Sequence, residues 1–300
     1  MWGMSLKLDA IRLAAFSRLF SSTVFREMAT AGRSPLFARL ASEAFTKHQQ
    51  ASVVSVRDAF ELALRSLQTG VNRDEYVYKA AVTQRILLGR HTLRSACMLN
   101  EFRVGQCKAD LVILNGSATV YEIKSERDSL SRLERQLQTY QTVFPRRYVI
   151  AGENHVAAVL ASTPVDVGVL QLSSRHSIST VREARERLDL VQPAAVFDAI
   201  RTDDAVSLLK NLHVEVPDVP NTKMRSELRV LFSSIEPQEF YPDFLNVLKR
   251  SRNLSTLGEL IAELPASLHA AALTVRVKRA SHENVVAAVN SGFDDALGWA

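Results

Sequence analysis

Asp110, Glu122 and Lys124 are the residues of this chain whose types and spacing could do chemistry. They fall in "KADLVILNGSATVYEIKSERDSLSRLERQLQTY", residues 108–140, where Glu122-Ile123-Lys124 interrupts an otherwise apolar, β-rich run. Side chains alternate along a strand, so Glu122 and Lys124 share one face while Tyr121, Ile123 and Ser125 take the other. Two β-rich runs flank Asn115-Gly116, a strong short-range turn signal, so 109–125 reads as a hairpin. The length of that turn decides the chemistry. A three-residue loop, Asn115-Gly116-Ser117, sets Asp110 opposite Glu122 on its face. A two-residue Asn-Gly loop sets Asp110 opposite Tyr121, pointing away.

Two carboxylates brought together repel each other unless a cation lies between them. Ligands that offer only oxygen favour a hard ion, magnesium or manganese. Lys124 adds a fixed positive charge beside them. A metal with a neighbouring ammonium suits phosphodiester hydrolysis: the ion lowers the pKa of a water and neutralises developing charge, and the lysine positions or stabilises that water. The plain alternative is a salt bridge of Glu122 with Lys124 or Lys108 on a solvated sheet face.

Asp110, an apolar strand, a turn and Glu122-Ile123-Lys124 resemble the D-x(n)-(D/E)-x-K signature of the PD-(D/E)xK, or restriction-endonuclease-like, nuclease superfamily. Ala109 stands where that signature often has proline. Gln136 and Tyr140 then form Q-x-x-x-Y, similar to the element after the active-site lysine of RecB-like nucleases. The string "EIKSERDSLSRLERQLQTY" also resembles a group of small bacterial proteins of uncertain role assigned to this superfamily. The resemblance covers residues 74–173. It implies an α/β fold with a restriction-endonuclease-like core (helix, three-strand meander, helix, strand) flanked by helical N- and C-terminal regions. It implies magnesium- or manganese-dependent hydrolysis of DNA. Asp110, Glu122 and the Ile123 carbonyl would hold the ion, Lys124 would activate or orient water, and Gln136 and Tyr140 would align substrate. The superfamily usually adds an upstream acid, for which Glu101 is the first choice and Glu75 the second. Arg132 falls four residues before Gln136, on the same helical face, and with Lys108 and Arg103 is expected to meet substrate. Two other readings stay open: a non-cleaving nucleic-acid- or partner-binding module on the same fold, and a nuclease acting on RNA.

The elements that must position these residues are legible in outline. Residues 5–67 space their apolar residues at three and four, as helices do, and Asp74 can cap a helix to about Leu88, closed by Gly89. Strands are expected at 97–105, in the 109–125 hairpin, at 146–152 and at 166–173. Asp128 is expected to cap a helix through Gln141 with Leu130, Leu133 and Leu137 on one face, and 154–163 to form a short helix. From about Ser179 the chain reads as helical, with a Pro-rich linker at 214–223. The expected division is a helical region 1–70, a nuclease-like domain 71–178 and a helical region 179–300, the last serving a homodimer, partner contact or substrate choice.

Composition limits the remaining classes. The 300 residues are 47% hydrophobic and 23% charged, which describes a soluble globular chain and not a disordered one. No run of 18 apolar residues occurs, so no membrane span is expected. Lys7, Asp9, Arg12 and Arg18 break the apolar stretches of the N-terminus, which reads as an amphipathic helix rather than a signal peptide. Cys97 and Cys107 make neither a disulfide framework nor a zinc site, and the seven histidines show no ligand spacing. These features point to a cytoplasmic protein, and a net charge of +5 is compatible with DNA as partner. Arg146-Arg147 read as flanks of a strand or as phosphate contacts. His155 and His176 read as structural, and the basic cluster 275–282 as a solvated face.

Overall fold

The computed structural model describes residues 2–69, 73–275 and 277–299, and side chains from Ala10 onward. Residue 70, where the first region was expected to end, the side chains of Lys7 and Asp9, and Arg276 of the basic cluster lie outside the described residues. The chain forms two compact units. One holds residues 1–89, 174–176 and 254–300; the other holds 90–173 and 177–253. The expected boundaries at 70 and 178 differ from this grouping. Residues 179–300 do not form one region, because their first part joins the sheet unit and their last part joins the N-terminal helices.

The first unit begins with α1 (Trp2–Leu19), α2 (Ser22–Ala31), α3 (Pro35–Ala44), α4 (Lys47–Ser52), α5 (Val56–Gln68) and α6 (Glu75–Val82). The caps are written in the sequence. Ser34 precedes Pro35 and accepts from Phe37 N–H, and Ser55 and Asp58 form a reciprocal capping box. Gly32 ends α2 at φ 67°, a left-handed conformation that glycine adopts without strain. Asp74 caps α6 as expected, accepting from Tyr76 N–H. The helix then widens into a π-turn at Thr83–Leu87 before α7 (Leu88–Arg90).

The second unit is a mixed sheet of β1 (Cys97–Val104), β2 (Cys107–Leu114), β3 (Ala118–Lys124), β4 (Arg146–Gly152), β5 (Gly168–Leu172) and β6 (Ile178–Arg182). Helix α8 (Leu133–Tyr140) links β3 to β4, and α9 (Glu153–Ser162) links β4 to β5. The strands lie in chain order, with β3–β4 and β4–β5 parallel and the other neighbours antiparallel. The fold is thus mixed α/β with helical flanks. Both helices cover one face: Leu133 and Leu137 of α8 and Val159 of α9 pack with Val149, Ala151, Val167 and Val169. The opposite face carries Tyr121 stacked on Tyr148, ring centroids 5.6 Å apart. Every residue of β3 is buried, as expected of a strand covered on both sides.

Two expectations need correction. Residues 178–182 form β6, not a helix. The helix after Lys124 starts at Leu133 and has no side-chain cap, because Asp128 is used elsewhere: its carboxylate accepts from both the N–H and the hydroxyl of Ser125, at 2.8 and 2.7 Å.

The unit continues with α10 (Pro193–Ala199), α11 (Thr202–Asn211), α12 (Asn221–Ser233) and α13 (Pro237–Ser251). The Pro-rich stretch before Asn221 is non-helical, as expected. Tyr241 and Lys249 of α13 hold the hairpin turn. The Tyr241 hydroxyl accepts from Ala118 N–H at 3.1 Å, and the Lys249 ammonium donates to the Asn115 carbonyl at 3.2 Å. The chain then returns to the first unit with α14 (Gly258–Glu263), α15 (His269–Thr274), α16 (His282–Asn290) and α17 (Phe293–Leu297). Phe293 N–H donates to the Val54 carbonyl at 2.9 Å, and the Phe293 ring lies 5.3 Å from Phe45. Cys97 and Cys107 are free and buried. Among the described residues no helix is long and apolar enough to cross a membrane.

Candidate functional site

The hairpin has the three-residue turn. Leu114 pairs with Ala118, leaving Asn115-Gly116-Ser117 as the loop. The register runs to Leu111 opposite Tyr121, so one step further places Asp110 opposite Glu122, on its face. There the β2–β3 ladder stops. β2 continues paired to β1 as far as Cys107, and β3 continues paired to β4 as far as Lys124. The sheet therefore forks, and Asp110 stands at the branch. Its carboxylate accepts from Ile123 N–H at 2.7 Å, replacing the missing ladder bond. A strand residue turns its N–H and C=O to the same side, so the Ile123 carbonyl also faces the fork.

Helix α8 closes the site from above. Its leucines pack on β4 and β5, and the neighbouring stripe reaches β3. The Lys124 ammonium donates to Glu122 Oε1 at 2.8 Å and to Gln136 Oε1 at 3.0 Å. The Tyr140 hydroxyl lies 2.9 Å from Glu122 Oε2 and 2.9 Å from the Lys108 carbonyl, so its single proton has an acceptor on each prong of the fork. The relative exposures of Glu122, Lys124 and Tyr140 are 2%, 5% and 0%. The Glu122–Lys124 salt bridge of the plain alternative thus exists, but it is buried rather than on a solvated face. Burial, reinforced by the Glu122 charge and hydrogen bond, raises the Tyr140 phenol far above its ordinary pKa.

The structure gathers Asp110, Glu122, Lys124, Gln136 and Tyr140. Glu101 lies between the β1–β2 pairs Asn100–Leu111 and Phe102–Ala109, at φ 54°, and its carboxylate is 3.0 Å from the Lys108 ammonium. Arg103 faces Lys108 across the ladder, and both are exposed, as is Arg132 just before α8. Glu75 belongs to the first unit, where it pairs with Lys79 one helical turn away, at 2.7 Å. Arg146 is exposed and pairs with Glu186. Arg147 is buried, bonded to Asp166, the Leu137 carbonyl and Gln141 Oε1, and is not placed to meet a phosphate.

A divalent ion fits this donor set within limits. Among the described residues no three His, Cys, Asp or Glu side chains converge as a metal-ligating group. Asp110 and Glu122 are two oxygen donors on one face, which suits magnesium, an ion commonly held by one or two carboxylates with water and substrate phosphate completing its shell.

Two supporting elements escaped sequence reading. Asp128 ties down the turn after Lys124, and the Ser-x-x-Asp spacing of Ser125 and Asp128 was the available signal. Arg147 fixes the C-terminal end of α8, and no local signal marks it, because its partners are distant in sequence.

A family model and a curated relative name the same family. The family described as bacteriophage P4 protein cII matches residues 68–259. Protein cII of Enterobacteria phage P4 is 28% identical over 200 residues, 66% of this chain and 65% of that protein, so the match spans just under two thirds of the relative. A protein of unknown function from Silicibacter pomeroyi is similar at 22% identity over 39% of this chain and 80% of that one, with a TM-score of 0.28.

Proposed function

The chain belongs to the bacteriophage P4 protein cII family, and we propose that it is a magnesium-dependent nuclease hydrolysing DNA phosphodiester bonds. The observation that carries this reading is the fork in the sheet. It gathers Asp110, Glu122 and Lys124 with Gln136 and Tyr140 on one covered face. A charged cluster of this kind is costly to bury and gains nothing for a sheet that apolar residues could fill.

Each side chain has a part in that reading. Asp110, Glu122 and the Ile123 carbonyl hold the ion, which supplies Lewis acidity toward water and phosphate when bound. Tyr140 fixes the orientation of the Glu122 carboxylate. Gln136 holds the Lys124 ammonium beside it, where its charge can orient the attacking water and oppose the growing charge on phosphate. Arg103 and Lys108 face each other across β1 and β2. Two cations directly opposite are unfavourable in a sheet, and a phosphate backbone would relieve them. Glu101 already does so for Lys108. Arg132 extends the basic rim. DNA as the partner and the cytoplasm as the compartment belong to the same proposal.

The test is cleavage of double-stranded DNA, single-stranded DNA and RNA by purified protein, with and without magnesium, beside Lys124→Ala. The expected result is magnesium-dependent DNA cleavage that falls by about 10²–10³-fold in the variant, the scale seen when one electrostatic contributor is removed. If the wild-type chain cleaves none of the three substrates, the nuclease reading fails. One observation favours a second reading, a non-cleaving binding module: Glu122 and Lys124 satisfy each other almost out of solvent. DNA binding without cleavage would establish it.

A further inference from the structure

The arrangement around Lys124 bears on how the site is loaded. Its ammonium sits between Glu122 Oε1 and Gln136 Oε1, at 2.8 and 3.0 Å. These are the kind of hard oxygen atoms a divalent ion seeks. Glu122 has its other oxygen on the Tyr140 hydroxyl at 2.9 Å, so the carboxylate cannot turn away from the lysine without breaking that bond. Asp110 is held too, by Ile123 N–H. The carboxylates are therefore pinned by neutral donors from the backbone and from a phenol. Lys124, on a flexible four-carbon stem, is the group in the cluster best able to move. A dication reaching Glu122 while the ammonium stays in place would set like charges side by side in a site nearly closed to water, where they are poorly screened.

We infer that Lys124 is a built-in competitor of the divalent ion: it occupies the cation position at Glu122, and metal loads only as the ammonium swings off Glu122 and Gln136. This rests on the nuclease reading of the site and adds its regulation. Gln136 is then the second anchor of a latch that keeps the metal-free site closed. Loading the ion costs the Lys124 bonds, so metal affinity is set by how firmly the latch is held rather than by the carboxylates alone.

The experiment is a Mn²⁺ titration followed by electron paramagnetic resonance on wild-type protein, Lys124→Met and Gln136→Ala, each checked for folding by circular dichroism. Lys124→Met removes the competing charge and is expected to bind Mn²⁺ at least about tenfold more tightly, within the ordinary range of coupling between adjacent sites. Gln136→Ala keeps every charge and loosens one anchor, and is expected to tighten Mn²⁺ binding about fivefold, at the weak end of such coupling. Gln136 is neutral and half-buried, so this variant decides the matter if Lys124→Met does not fold. Mn²⁺ binding no tighter than wild type in the folded variants overturns the inference, as does no Mn²⁺ binding by any of the three. The two readings fail separately. Wild-type cleavage with no tightening in the variants removes the latch alone, and tightening without cleavage removes the nuclease alone.

Discussion

Tyr140 reaches down from α8 to Glu122, its hydroxyl 2.9 Å from Oε2, and the tyrosine is fully buried. Lys124 takes the other oxygen of the same carboxylate. Helix and strand thus grip one buried charge from two sides, and the helix cannot shift without leaving that charge partly unsatisfied.

Removing only that hydroxyl measures the grip. Tyr140→Phe leaves Glu122 Oε2 and the Lys108 carbonyl without this donor and should cost about 1–3 kcal/mol, the usual penalty for stranding buried polar groups. Urea unfolding at neutral pH reads the loss. A change below about 0.5 kcal/mol, smaller than a typical net hydrogen bond, would mean the bond contributes little.

The same phenol predicts alkaline sensitivity. The folded-state pKa of Tyr140 is raised, first by burial and then by Glu122. The folded chain therefore holds this proton more tightly than the unfolded one. That contribution is complete below the unfolded tyrosine pKa of about 10 and is lost as pH rises above it. Tyr76, Tyr121 and Tyr241 are raised for the same leading reason, so wild-type stability should fall steeply above about pH 10. In Tyr140→Phe the slope should be shallower by up to about 1.4 kcal/mol per pH unit, the value of one proton. Equal slopes for the two proteins would show that Tyr140 does not titrate in the unfolding reaction.

Arg147 should matter more for stability than an exposed pair elsewhere in the chain. Burial lowers its pKa, and Asp166 acts in the opposite direction. Replacing one partner of a buried pair strands the other, so Arg147→Met should cost about 3–5 kcal/mol. Arg279→Ala, which breaks an exposed pair with Glu259, should cost less than about 1 kcal/mol. Thermal unfolding of the two variants checks the contrast, and comparable losses would contradict it.

Gly168 has no room for a side chain. It lies opposite Tyr148 in the β4–β5 register, and a Cβ there would stand 2.2 Å from the tyrosine ring and 2.8 Å from the Ala184 backbone nitrogen. Gly168→Ala should destabilise the protein by about 1–3 kcal/mol, as overpacking does. Shrinking the ring in Gly168→Ala/Tyr148→Ala should recover part of that. A double variant whose loss equals the sum of the two single losses would show the ring is not the obstacle.

Much of the hairpin was legible because local chemistry writes it. Asn115-Gly116 demands a turn, alternation assigns faces, and Glu122 and Lys124 share a face whatever the rest of the chain does. Helix α8 was visible from its leucines, and its start was not. Asp128 can cap a helix or bind the Ser125 backbone, and only the packed chain selects between the two. Strand β6 was missed because "ISTVR" carries little alternation and precedes a charged run that suits a helix. It is an edge strand, made by its pairing with β5 rather than by its own residues.

The sequence by itself determined which residues could act together and which faces they take, because periodicity and turn chemistry operate over a few neighbours. It left open whether Asp110 stands across from Glu122 or one step away, since the turn admits two lengths with opposite outcomes. Tertiary structure decided that. Tyr241 and Lys249, more than a hundred residues away, hold the three-residue loop. The fork that frees Asp110, the burial of the Glu122–Lys124 pair and the anchoring of α8 by Arg147 were likewise decided only there. Each depends on partners that chain folding brings together, and no local pattern encodes a distant partner.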